Sequence, residues 1–163
     1  MIYLDKDAII YMGKDKYENE ELIKYALPHD IWFHVDDMSS AHVYLRMKIP
    51  IETYEELPQK AVSECAQLTK ENSIEGCKKK GVTVIYTWAS NLLKRDDMDV
   101  GAVSFKKEGL IEKLHVEKVN EVLKKIAKTK VEAHPNLEKE YNDYMKAFKK
   151  EQEIKKRMEL KAK

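Results

Sequence analysis

Two short segments carry side chains that could contact nucleic acid: residues 30–36 (DIWFHVD) and residues 42–46 (HVYLR). Each alternates in side-chain type like a half-buried strand, because successive strand residues point to opposite faces. If the two strands are neighbours, one face carries Trp32, His34, His42, Tyr44 and Arg46. Such a face can stack bases on its rings and hold phosphates with its cations. A helix can equally cover an aromatic face as a second buried layer, so both interpretations stay open.

The same region invites a metal or catalytic interpretation. Imidazole and carboxylate groups from His34, His42, Asp36 and Asp37 could bind zinc or iron, or transfer protons. Their spacing matches no metal motif, and neither a paired nucleophile nor a phosphate-binding loop is recognisable. We therefore expect no metal, no cofactor and no enzymatic activity.

Basic residues cluster near predicted loops. Lys14 and Lys16 flank a predicted helix N-terminus, where free N–H groups favour phosphate. Two further clusters bracket a predicted strand over residues 81–87. The candidate nucleic-acid-binding residues are therefore Lys14, Lys16, Trp32, His34, His42, Tyr44, Arg46, Lys78, Lys79, Lys80, Lys94 and Arg95.

The composition indicates a folded protein with an uneven charge distribution. The 163 residues are 43% apolar, enough for a sizeable core. Residues 1–105 contain 13 basic against 18 acidic side chains, whereas residues 106–163 contain 17 against 11. A basic C-terminal arm favours polyanions. Two cysteines without metal spacing, and the lack of a signal-peptide or membrane-span pattern, lead us to expect a cytoplasmic or nuclear location.

Hydrophobic periodicity predicts an α+β fold with a largely antiparallel sheet, flanking helices and a projecting charged C-terminal helix. The predicted strands are residues 1–4, 8–12, 30–36, 42–47, 81–87, 100–105 and 110–116, with a turn at 106–109 joining the last two. Helices are predicted to start between residues 16 and 20, at 58 and at 119. Residues 1–133 form the predicted α+β domain, and residues 134–163 the charged helix.

The C-terminal helix has a heptad-like spacing at Leu137, Tyr141, Tyr144 and Phe148 that then fails. It could begin a coiled coil, dock a helical protein partner or form a homodimer. A protein-interaction adaptor is therefore the alternative to nucleic-acid binding.

Two motifs resemble the NFACT-R family, the RNA-binding module of ribosome quality-control factors and fibronectin-binding-protein relatives. Residues 13–22 (GKDKYENEEL) resemble its glycine-basic entry and Asn-acidic helix start, and residues 30–34 with His42 and Val43 resemble its central signature. The resemblance implies binding of RNA or DNA and contact with the ribosome. Smaller family members are also associated with DNA recognition at a cell surface, so the resemblance implies a membrane-located DNA sensor as a further alternative. Tail-elongation activity is not expected, because the module begins at Met1.

Overall fold

A computed structural model describes residues 1–4, 7–132 and 135–162. Alternating apolar residues build one six-stranded sheet in the order β1-β2-β4-β3-β5-β8, with every neighbouring pair antiparallel. The strands are β1 (Ile2–Leu4), β2 (Ala8–Met12), β3 (Ile31–Val35), β4 (Val43–Met47), β5 (Gly81–Trp88) and β8 (Glu112–Glu117). β3 and β4 are neighbours, which is the condition under which the sequence places Trp32 and Tyr44 on one face, and Trp32 lies directly opposite Tyr44.

Helices cover both faces of this sheet. Their bounds are α1 (Lys16–Tyr25), α2 (Gln59–Glu71), α3 (Asn120–Ala127) and α4 (Leu137–Lys161). One core lies between the sheet and the α2–α3 pair, where Cys65 and Ile126 pack with Phe33 and Leu45. A second core contains Trp32 and Tyr44 together with Leu22 of α1 and Leu137 of α4. The α+β fold class is therefore confirmed.

The predicted strand hairpin over residues 100–116 is wrong. Within the first predicted strand, residues 100–105, only β7 (Ser104–Phe105) is a strand. β7 pairs with β6 (Leu92–Leu93), whereas β8 pairs with β5. Gly101 adopts φ 84°, and the Lys94 Nζ donates to the carbonyls of Asp99 and Ala102. These contacts close residues 94–102 into a loop, which periodicity alone does not reveal.

The start of α4 packs on the domain, and the rest projects. Leu137 is buried, and the Tyr141 and Tyr144 rings contact Tyr25 and His29. Residues 146–162 are all exposed, as expected for a projecting charged helix. The predicted division between residues 133 and 134 lies outside the described residues.

Candidate nucleic-acid interface

Three connecting segments meet at one end of the sheet. Because β2 and β3 end where β4 and β5 begin, the antiparallel register brings together the β2–α1 junction at residues 13–15, the β3–β4 loop at residues 36–42 and the α2–β5 turn at residues 72–80. Main-chain hydrogen bonds join these segments. The Gly13 N–H donates to the His42 carbonyl at 3.2 Å, and the Ala41 N–H donates to the Asn72 carbonyl at 3.1 Å.

These segments line a cleft of about 380 Å³, called here the junction cleft. Its polar lining includes Lys14, Lys16, Ser39, Ser40 and Asn72. Lysine ammonium groups, hydroxyls and amides are the groups with which proteins contact phosphate and sugar. The junction cleft can therefore accept a phosphodiester chain, with both lysine side chains exposed to solvent.

Asp15 limits the positive charge at this entrance. Its side chain caps α1 by accepting from the main-chain N–H groups of Tyr17 at 3.1 Å and Glu18 at 2.9 Å. The cap occupies donors that we expected to be free for phosphate. Lys14 and Lys16 thus contribute charge beside a helix N-terminus whose Tyr17 and Glu18 N–H groups already donate to Asp15.

The α2–β5 turn supplies the largest exposed basic group at this end. Lys78, Lys79 and Lys80 are all exposed and precede β5 directly. The turn is tied to the β3–β4 loop, because the Ser73 hydroxyl donates to the Ser39 carbonyl at 2.6 Å. Two of the predicted basic clusters, 14–16 and 78–80, therefore lie at the same end of the sheet.

The aromatic face is a buried layer rather than an open platform. Trp32 and Tyr44 are only 2% and 1% exposed, and His42 is 5% exposed. Phe105 packs on Trp32 with ring centroids 5.5 Å apart, and α1 and α4 cover the neighbouring residues. Of the two interpretations kept open by the sequence, the structure supports the covered layer, so neither ring can stack a base in this conformation.

His34 and His42 belong to this buried aromatic cluster. The Trp32 indole N–H donates to His42 Nδ1 at 3.0 Å, which places the His42 proton on Nε2. His34 stacks on Trp32 and donates from Nδ1 to the Val35 carbonyl at 2.6 Å. Burial, aided by repulsion from His34, lowers the pKa of His42 to about 3, and burial also lowers the pKa of His34. Both rings are therefore neutral at pH 7.

Arg46 forms ion pairs within the protein, and these occupy its guanidinium group. Its guanidinium donates to both carboxylate oxygens of buried Asp30, at 3.0 and 2.9 Å, and to Glu140 of α4 at 3.2 Å. It also lies 4.9 Å from the centroid of the Tyr11 ring. Burial opposes the charged form, but Asp30 outweighs it and raises the pKa of Arg46. The expected phosphate contact is not available in this arrangement.

The third basic cluster lies beside α1 and is largely neutralised. Lys94 pairs with Glu20 at 2.9 Å, and Glu20 also accepts from the Gly101 N–H at 2.7 Å. Arg95 is exposed and lies 3.7 Å from Asp97. Only Arg95 remains open to a ligand in this cluster.

In the described ranges 1–4, 7–132 and 135–162, no group of three or more His, Cys, Asp or Glu side chains is placed to hold a metal ion. Nor does any helix there combine the length and apolarity needed to cross a membrane.

Sequence reasoning overlooked Lys70, Asn72 and Ser73, which shape the junction cleft and the turn beside it. Asn72 lines the cleft, Ser73 joins the two loops, and Lys70 is buried beneath the lysine turn. The available signal was the position of Lys70 four residues after core-facing Ala66, since helix residues four apart share a face.

Known proteins share much of this chain. A family model described as "NFACT protein RNA binding domain" matches residues 2–107. Coiled-coil domain-containing protein 25 of Bos taurus is 55% identical over 132 residues, which cover 80% of this chain and 63% of that protein. Its Dictyostelium discoideum homolog is 44% identical over 135 residues, covering 82% and 65%, and the Saccharomyces cerevisiae protein JLP2 is 39% identical over 140 residues, covering 84% and 67%. The chain thus spans about two thirds of each relative.

A solved structure has the same fold. The C-terminal part of the fibronectin/fibrinogen-binding protein from Streptococcus suis matches with a TM-score of 0.64 and 24% identity. The match covers 80% of this chain and 48% of that one.

Proposed function

This chain belongs to the NFACT protein RNA binding domain family, and on that premise we propose that it is a non-enzymatic module that binds nucleic acid at the junction cleft. RNA, free or on a ribosome surface, is the proposed ligand, and DNA is the alternative within the same chemistry. The observation that carries the proposal is the convergence of Lys14, Lys16 and the exposed Lys78–Lys80 turn at one end of the sheet. Cytoplasm, or nucleus, is the proposed location.

The mechanism is backbone recognition. Exposed lysines hold phosphates, and the Ser39, Ser40 and Asn72 groups lining the cleft can bond phosphate or sugar oxygens. Because Trp32 and Tyr44 are covered, we expect base stacking to contribute little and sequence preference to be weak. Binding should weaken steeply with salt as counterions are released.

The proposal is tested by fluorescence anisotropy with single-stranded RNA, single-stranded DNA and duplex DNA at two salt concentrations. Charge reversal at Lys14 and Lys16 together with Lys78–Lys80 should abolish binding of every probe. Charge reversal at five other exposed lysines that do not line the cleft is the control matched in charge and should leave most affinity: Lys106, Lys107, Lys124, Lys128 and Lys130. Equal affinity of the cleft variant and wild type would overturn the proposal, and the ranking of wild-type affinities decides between RNA and DNA.

A second candidate function, a protein-interaction adaptor, is favoured by α4. Its projecting part exposes Phe148, Ile154, Met158 and Leu160, by 42 to 74%. A helical partner or a second copy of the chain could cover these side chains. Light scattering on wild type and a Phe148→Glu/Ile154→Glu variant tests the homodimer. A monomeric wild type would exclude it.

A further inference from the structure

A buried lysine lies beneath the basic turn. Lys70, in the last turn of α2, is 2% exposed. Its Nζ donates to the Gly76 carbonyl at 3.0 Å and to the Lys79 carbonyl at 2.7 Å. None of the ion pairs formed by the described residues includes Lys70. A buried ammonium without a carboxylate is costly, so this arrangement calls for a compensating role.

The contacts of Lys70 fix the shape of the turn. Both accepting carbonyls point inward to Nζ, which orients residues 76–79 relative to α2. Ser73 reinforces the turn because its hydroxyl accepts from the Gly76 N–H at 3.0 Å. A Cβ at Gly76 would lie 2.8 Å from that hydroxyl oxygen, so a side chain there would displace it. The turn is therefore held at several points, and Ser73 connects it to the junction cleft.

The solvent side of the turn carries a run of exposed lysines, and Glu117 of β8 lies opposite Gly81 where the turn ends. Lys78, Lys79 and Lys80 are exposed there, and Glu75 is the one acidic residue between positions 72 and 81. The Lys70 ammonium adds a fourth positive charge from below, where low dielectric weakens its screening. An anion on the outer surface would offset the cost of that buried charge, and a loop fixed in advance loses little entropy on binding it.

We propose that Lys70 is a positioning residue for an anion-binding corner formed with Lys78, Lys79 and Lys80, which holds a phosphate of a nucleic-acid backbone. The identity of the anion rests on the proposed function. The corner would anchor the chain beside the junction cleft, and Lys70 would act by shaping the turn and adding to its field.

The test is a double-mutant cycle on the full chain with single-stranded RNA. Lys70→Met should weaken binding about tenfold at about 100 mM salt and reduce the salt slope by about 0.7 to 1.4, as loss of one or two phosphate contacts to a single strand would. Lys78→Ser/Lys79→Ser/Lys80→Ser should have a similar effect, and adding Lys70→Met to it should cause no further loss. Lys70→Arg, which retains the donors, should recover most of the affinity. The proposal would be overturned if Lys70→Met bound RNA as tightly as wild type. It would also be overturned if adding Lys70→Met to the triple serine variant weakened binding by the same factor as Lys70→Met does alone.

A second measurement separates the corner from the proposed function. Inorganic phosphate at about 5 mM, too dilute for the general stabilisation that excluded phosphate gives, should raise the Tm of wild type above that in chloride at equal ionic strength, and Lys70→Met should lose this rise. If wild type binds neither RNA nor DNA, the proposed function fails, yet a phosphate effect lost in Lys70→Met still supports the corner. The triple serine variant keeps the main-chain carbonyls that Lys70 contacts. If Lys70→Met unfolds, the effect of phosphate on Tm is therefore measured on the triple serine variant instead. A phosphate effect retained in the triple variant would overturn the corner.

Discussion

At the residue scale, this chain buries polar groups that sequence reasoning assigned to a ligand. Trp32, His42 and Arg46 all have partners inside the protein. Buried donors and charges are costly without such partners, so these contacts account for the residue types in structural terms. Of the candidate binding residues, the lysines of the junction cleft and of the turn remain open to a ligand, together with Arg95.

Protonation of His42 should make folding sensitive to acid. Its pKa is about 3 in the folded protein and near the ordinary value of 6.5 in the unfolded chain. Since the folded pKa is the lower one, the stabilisation is complete above pH 6.5 and is lost as the pH falls towards 3. The lowered pKa values of His34 and His29 act in the same direction.

Urea unfolding at about pH 7.5 and pH 5 measures this effect. Wild type should lose about 2 kcal/mol more than His42→Gln over this interval, because one group contributes at most about 1.4 kcal/mol per pH unit. His115→Gln, at an exposed imidazole, controls for loss of a histidine. Identical pH dependence in wild type and His42→Gln would contradict the buried, neutral assignment.

Arg46 should matter to stability rather than to binding. Arg46→Met leaves the Asp30 carboxylate buried without its guanidinium, which should cost about 3 kcal/mol. Arg95→Met is the matched control, because its exposed pair with Asp97 is worth under about 1 kcal/mol. Denaturant unfolding measures both, and a loss of RNA affinity in folded Arg46→Met without loss of stability would reverse this assignment.

At the scale of elements, Asp15 at the N-terminus of α1 should stabilise the fold and weaken the binding of RNA. Asp15→Ala removes the cap and should cost about 1 kcal/mol of unfolding free energy. It also removes a negative charge between Lys14 and Lys16, so RNA should bind more tightly. Asp15→Asn keeps a capping oxygen and should tighten binding with little loss of stability. Weaker binding by Asp15→Asn, measured by anisotropy, would argue against phosphate near α1.

The projecting part of α4 should be the least protected helix. Residues 146–161 have no buried side chains, and an isolated helix of this length is marginal in water. Hydrogen exchange should be fast there and slow in α2, whose core-facing side is buried. Protection of residues 146–161 comparable to that of α2 would instead indicate a partner or a second copy on the helix.

Local patterns predicted most elements, and long-range contacts account for the errors. The alternation in residues 30–36 and 42–46 predicted β3 and β4, and it placed Trp32 and Tyr44 on one face if the two strands pair, which they do. The alternation does not say what covers a face, because Phe105 and Leu137 reach it from distant parts of the chain. Likewise, the loop over residues 94–102 depends on Lys94 and Glu20, which are far apart in sequence.

At the scale of the whole molecule, the positive groups open to a nucleic acid lie apart from the excess positive charge of the sequence. Residues 106–163 carry that excess, yet the junction cleft and the lysine turn belong to the first 105 residues, which are net acidic. Local arrangement therefore governs the proposed binding more than net charge. The topology is responsible, since antiparallel pairing brings residues 13–16 and 72–80 to one end of the sheet.

The most direct test is to map the contact surface by amide chemical-shift changes as single-stranded RNA is titrated into isotope-labelled protein. The predicted changes concentrate in residues 13–19, 38–42 and 72–81, around the junction cleft and the lysine turn. Changes concentrated in residues 146–161 of α4, or around Pro28 and Trp88 at the opposite end of the sheet, would contradict the proposed interface.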